Sequence, residues 1–111
     1  MTDLETLRGN LEHGTGFPFA LYAWRNTPKA NAWGTVNLVA EVASIWADDK
    51  QEEQALTGQV HLFTQHPMDF LTVQRILAAQ DFYWRLDGAQ YEQDTRLLHY
   101  TWVWSDWRDL L

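Results

Sequence analysis

Two runs of alternating apolar residues, joined by a short polar link, do most to limit what this chain can become. In Thr35–Trp46, Val36, Leu38, Ala40 and Val42 share one parity, and Thr35, Asn37 and Glu41 the other. In Ala55–Thr64, Val60 and Leu62 alternate with Gln59 and His61, and Gln65 continues the polar set. A period of two sends successive side chains to opposite faces of a strand, so each run reads as a half-buried strand. The link Asp48-Asp49-Lys50-Gln51-Glu52-Glu53-Gln54 is wholly polar and reads as a solvated turn. The two strands are therefore expected to form a long antiparallel hairpin.

The flanking segments supply the rest of the sheet and its cover. Thr2-Asp3-Leu4-Glu5 fits a capping box, with Thr2 as the cap and Glu5 reaching back. Leu4, Leu7 and Leu11 follow at helical spacing, and Gly14 sits where a C-terminal cap would. Gly9 in the middle costs about 1 kcal/mol against alanine, so this helix, near 3–12, depends on packing. A strand near 18–24 alternates Phe19, Leu21 and Ala23 with Ala20, Tyr22 and Trp24, and Arg25–Gly34 is a polar loop holding Trp33. Pro67 suits the first turn of a helix near 68–79, whose Phe70, Val73, Ile76 and Leu77 make a stripe able to cover a sheet. Two more strands fall near 82–92 and 96–106. Asp87-Gly88 could be a two-residue hairpin turn, but a turn at Gln93-Asp94-Thr95 with Asp87-Gly88 as a bulge gives strands of matching length.

These elements predict an α/β (α+β) fold in the order α-β-β-β-α-β-β. It is a single mixed, mainly antiparallel five-stranded sheet with two helices packed on one face. A length of 111 residues suits one domain over 1–111, and 46% apolar residues provide one core rather than two. No apolar run nears the roughly 20 residues of a membrane span. The N-terminus is acidic where a secretion signal would be basic, which makes the cytoplasm the expected compartment. With no Cys there is no disulfide framework or thiolate site. A formal net charge of −7, with basic residues scattered singly, argues against gripping nucleic acid but allows DNA to pass nearby.

Chemistry-bearing patterns are sparse. His61 and His99 fall in strands and His66 just before Pro67, but no HxH or HExxH spacing is present, so they read as half-exposed strand histidines rather than metal ligands. Gly14-Thr15-Gly16 follows a helix and precedes a strand, the reverse of a phosphate loop. Asp48, Asp49, Glu52 and Glu53 are crowded in sequence, but a solvated turn neither holds carboxyls in a cleft nor splits their pKa values. Ser44 and Ser105 lack a nucleophile-elbow motif. The expectation is no enzyme, no cofactor and no metal.

Seven tryptophans are more than a domain of this length readily buries. Trp104 shares a strand face with Leu98, Tyr100 and Trp102; Trp24 and Trp46 sit at strand ends, Trp33 in a loop and Trp107 in the tail. Some can cap the ends of the sheet. Aromatic residues are also enriched at protein interfaces, which makes Trp24, Trp33, Trp46, Trp104 and Trp107 interface candidates.

The chain as a whole resembles a family of small phage and prophage tail-completion (tail-terminator, tail-to-head joining) proteins. The resemblance rests on the first helix, Gly16-Phe17-Pro18-Phe19 and the turn Trp46-Ala47-Asp48-Asp49-Lys50. It continues through Gln54–Gly58 into Val60–Thr64, then Tyr91–Thr95 followed by His99–Val103. The loop at 25–34 departs from it, being longer and more polar. The resemblance implies a structural virion protein that forms a six-membered ring at the head-proximal end of the tail. Such a ring stops tube polymerisation, contacts the tail tube protein and head connector proteins, and passes DNA without specific binding. It implies the virion tail or neck as location, host cytoplasm during assembly, and the acidic cluster Asp48, Asp49, Glu52 and Glu53 as a lumen or docking feature. A head–tail connector or stopper component, or a small prophage-encoded binding domain, fits the same composition.

Overall fold

A computed structural model describes residues 3–47 and 50–109, with the side chains of 40–55 and 107–109 left out. Its elements are α1 (Leu4–Thr15), β1 (Phe19–Leu21), β2 (Ala32–Ala47), β3 (Lys50–Thr64), α2 (Asp69–Ala78), β4 (Tyr83–Glu92) and β5 (Leu97–Asp109). One mixed sheet runs in the order β1-β2-β3-β5-β4, parallel between β1 and β2 and antiparallel elsewhere. This is the α+β order read from the sequence, and the expected hairpin of two long strands is present.

Buried side chains fall on alternate positions of the central strands, in rows across the sheet. Val36 lies opposite Val60 and Val60 opposite Trp102, and the row ends at the exposed Leu86 on β4. Leu7 and Leu11 from α1 and Val73 and Leu77 from α2 join Val36, Val60, Leu62, Tyr100, Trp102 and Trp104 in one cluster, so both helices cover the same face. Trp102 is fully buried and donates its indole N–H to Gln74 Oε1 at 3.2 Å, tying α2 to β5. Gly58 leaves room for Trp104: a β-carbon there would overlap the indole and the Asn37 carbonyl oxygen.

Local chemistry moves several boundaries. Thr2 lies outside the described residues, and the cap of α1 is Asp3, whose side chain accepts from the Glu5 N–H at 3.0 Å. Glu5 pairs with Arg8, whose guanidinium also meets Glu12 Oε2 at 3.1 Å and donates to the Phe19 carbonyl at 3.2 Å. Glu12 in turn accepts from the Phe19 N–H. That bond first, and Arg8 second, hold the Glu12 carboxyl below its usual range. The helix runs past Gly14 and ends at Gly16, where φ of 78° puts the chain in the left-handed region that glycine enters without penalty.

β1 is shorter than expected because Tyr22, at φ 66°, turns the chain out of the strand while its N–H still bonds Val36 O. The loop therefore spans 22–31, and Trp33, expected in it, belongs to β2. The polar segment read as a turn over 48–54 is a strand from Lys50 onward, because the hairpin ladder pairs Ser44 with Gln54, Ile45 with Glu53 and Ala47 with Lys50. Backbone pairing does not require apolar side chains. Strict alternation in β2 is interrupted by register shifts between Leu38 and Ala40 and between Glu41 and Ala43, and Leu38 is exposed rather than core. The last hairpin follows the longer reading: a register shift falls between Leu86 and Gly88, and the turn lies at 93–96.

Candidate functional site

With both helices on one face, the opposite face of the sheet carries the side chains open to other chemistry. Strand registers build it in rows: Trp33, Phe63, His99 and Gln90; then Thr35, His61, Thr101 and Gly88; then Asn37, Gln59, Val103 and Arg85. From Thr57 to Phe63 and from His99 to Ser105 the central strands place no Asp, Glu, Lys or Arg on this face. In a chain with 21% charged residues, that neutrality marks the middle of the face off from an ordinary solvated surface, while Arg85 and Glu92 lie on the edge strand β4.

The first row is an aromatic ladder. Trp33 stacks on Phe63 with ring centroids 4.1 Å apart, and Phe63 on His99 at 4.1 Å. Adjacent strands lie about 4.8 Å apart, so directly opposed flat rings on three strands pack face to face. Beside the ladder the 22–31 loop forms the wall of a groove of about 360 Å³, with Tyr22, Trp24, Trp33, His61, Phe63 and His99 among its lining residues. Trp24 is fixed there by its indole N–H, which donates to Gly34 O at 3.0 Å. Tyr22 stands in the groove wall in its left-handed conformation, 57% exposed.

Beside the ladder, and sharing His99 with it, runs a chain of polar contacts across three strands. Glu92 Oε1 lies 2.8 Å from His99 Nδ1, His99 Nε2 lies 2.8 Å from His61 Nδ1, and His61 Nε2 lies 3.0 Å from Gln59 Oε1. The Thr101 hydroxyl lies 3.4 Å from both imidazoles. Burial, and then the neighbouring His99, depress the pKa of His61 below its ordinary 6.5. The sign follows directly: the unfolded chain takes a proton near 6.5 that the folded His61 resists. This stabilising contribution is complete above about pH 6.5 and is lost as pH falls towards the folded value. Melting temperatures should fall between about pH 7.5 and about pH 5.5, and His61→Gln should lose part of that fall. An equal fall in the variant would remove His61 from the cause.

The interface candidates separate in space. Trp24 and Trp33 meet at the groove. Trp104 is only 3% exposed, stacks on Phe82 and belongs to the core, so its indole is not offered to a partner by this fold. Its N–H is the buried side-chain group without a hydrogen-bond partner among the described residues. Trp46, Glu52, Glu53 and Trp107 lie in β2, β3 and β5 by backbone, with Glu52 and Glu53 in a strand rather than the expected loop; their side chains, and Asp48 and Asp49 entirely, lie outside the described residues. His66 is exposed ahead of α2, away from the His61–His99 pair. Among the described residues, no three His or carboxylate groups converge as a metal site would require.

Sequence reading singled out His61 and His99 separately and missed Glu92 and the ladder. Their partnership depends on β3 lying beside β5, a pairing between residues 38 positions apart. No protein-family model and no curated protein matches the chain.

Proposed function

We propose that this chain is a structural assembly subunit of the tail-completion kind, acting as one member of a closed ring. The observation that supports this is a mismatch of lengths between the sheet and its cover. The molecule measures 52 × 25 × 25 Å. β2, at 16 residues, spans about that long axis at roughly 3.3 Å per residue. The helices, of 12 and 10 residues, are only about 18 and 15 Å long at 1.5 Å per residue. Two such helices cover a fraction of the sheet and leave a long stretch of it to be covered from outside the chain.

A ring requires two different surfaces on each subunit, one for each neighbour. The charge-poor open face of the central strands is one such surface. A subunit of net charge −7 also suits a channel that DNA traverses without adhering. A ring subunit needs shape and surface rather than assembled catalytic groups.

The test is electron microscopy and native mass spectrometry at high protein concentration, with and without phage tail tubes. Six-membered rings capping the tube ends are the expected result. Attachment to portal rings instead would transfer the chain to the connector role. A tight twofold dimer indifferent to both would overturn the proposal in favour of a small binding domain.

A further inference from the structure

The polar chain that shares His99 with the aromatic ladder has oxygen atoms at both ends and two imidazoles between them. Its three contacts are Glu92 Oε1 to His99 Nδ1, His99 Nε2 to His61 Nδ1, and His61 Nε2 to Gln59 Oε1, at 2.8, 2.8 and 3.0 Å. Each contact of that length needs one hydrogen between its heavy atoms. A carboxylate oxygen and an amide oxygen are acceptors only, so all three hydrogens must come from the rings. Two neutral imidazoles carry two. With the Gln59 amide oxygen facing His61, the chain is complete only when the pair holds one proton more than neutral; with the amide turned over, two neutral rings complete it.

Its position follows from the partners. His99 as imidazolium donates from Nδ1 to Glu92 and from Nε2 to His61 Nδ1. His61 then stays neutral as the Nε2–H tautomer and donates to Gln59 Oε1. Every contact is satisfied, and the positive charge sits beside the Glu92 carboxylate, at a side-chain exposure of 15% for His99 and 31% for Glu92. A second proton would set N–H against N–H across the 2.8 Å His61–His99 contact. The depression of the His61 pKa by burial and by His99 agrees with that refusal.

Removal of the proton rearranges the whole chain. His99 keeps Nδ1–H on Glu92, so its bare Nε2 becomes an acceptor. His61 must then carry its hydrogen on Nδ1, which leaves its Nε2 bare against Gln59. The contact survives only if the Gln59 amide turns over and donates its NH₂.

We infer that Glu92, His99, His61 and Gln59 form a proton-driven relay, in which the charge state of His99 on β5 sets the tautomer of His61 and the amide orientation of Gln59 on β3. The two imidazoles of the relay, His61 and His99, line the groove. The groups around the two rings are Phe63 and Gln59 from β3, Thr101 from β5, Glu92 from β4, Trp33 from β2 and Tyr22 in the groove wall, and Glu92 is the charged one among them. The Gln59 backbone N–H donates to Asn37 Oδ1 at 2.9 Å, so the far end of the relay is anchored to β2. pH thereby changes which hydrogen-bond donors the open face presents without unfolding it.

The experiment is a pH titration of the ¹⁵N-labelled full chain, following the ring nitrogens of both histidines and the side-chain amides by NMR between about pH 9 and about pH 5.5. On acidification, His61 should pass from the Nδ1–H to the Nε2–H tautomer at the same midpoint at which His99 becomes doubly protonated. The Gln59 side-chain NH₂ signals should move with that midpoint. Glu92→Gln, which removes the counter-charge and keeps the shape, should lower the shared midpoint. A His61 tautomer that stays constant while His99 titrates, or a Gln59 amide that does not respond, overturns the relay. So does an unmoved midpoint in a folded Glu92→Gln protein; should that variant unfold, the wild-type tautomer titration decides alone.

Discussion

Trp102→Ala is expected to destabilise the protein by about 3–5 kcal/mol, the range for emptying the site of a large buried aromatic. Trp102 is the largest fully buried side chain, at the centre of the sheet between Val60 on β3 and Leu86 on β4, and it stacks on Tyr100. Its removal also leaves Gln74 Oε1 without the indole N–H that links α2 to the sheet. Against a typical total of about 5–15 kcal/mol, such a loss is a large fraction of the stability. Thermal melts followed by circular dichroism should show a midpoint lower by about 15–25 °C. Trp102→Phe should recover most of it, because the packing returns while a single exchangeable hydrogen bond does not. A drop of only a few degrees in the alanine variant would show that α2 does not depend on this contact.

Gly58→Val tests the opposite failure, too much volume instead of too little. Gly58 faces Leu38 on one side and Trp104 on the other in the sheet register. Its missing side chain is the space that the Trp104 ring fills, and the second obstacle, the Asn37 carbonyl oxygen, is backbone and cannot swing aside. Valine suits strands in general, yet here it should cost about 3 kcal/mol or more. Gly9→Ala supplies the internal contrast. Gly9 lies in α1 with nothing within 4 Å of an added β-carbon, so alanine there should stabilise by about 0.5–1 kcal/mol through helix propensity. Urea titrations of the two variants should move in opposite directions. A neutral Gly58→Val would mean that β2 and β3 separate more easily than their continuous ladder implies.

The two glycines show how sequence and structure divide the information. Gly9 could be priced from its helix alone, whereas nothing within a few residues of Gly58 hints at an indole 46 positions away in the chain. The same division runs through the candidate site. Trp33 looked like a loop residue because Arg25–Gly34 is polar and contains Pro28, but pairing with Phe63 draws it into β2. Trp104 looked like a spare aromatic because the count of tryptophans exceeds what a small core needs, and it is instead a core residue under Phe82.

By itself the sequence determined the order of elements, the hairpin of two long strands, the alternation of Val60 and Leu62 with Gln59 and His61, and the bulge at Asp87-Gly88. Each of these rests on spacing between residues close in the chain, where the periods of strand and helix act directly. Only the tertiary structure decided the boundaries set by hydrogen bonds, such as the strand continuing through Lys50–Gln54 and the cap at Asp3. It alone placed β5 between β3 and β4, and with that order brought Glu92, His99, His61 and Gln59 into one hydrogen-bonded chain. The reason is physical: a strand's own pattern fixes which face each residue occupies, but which strand becomes its neighbour depends on contacts between residues far apart in the chain.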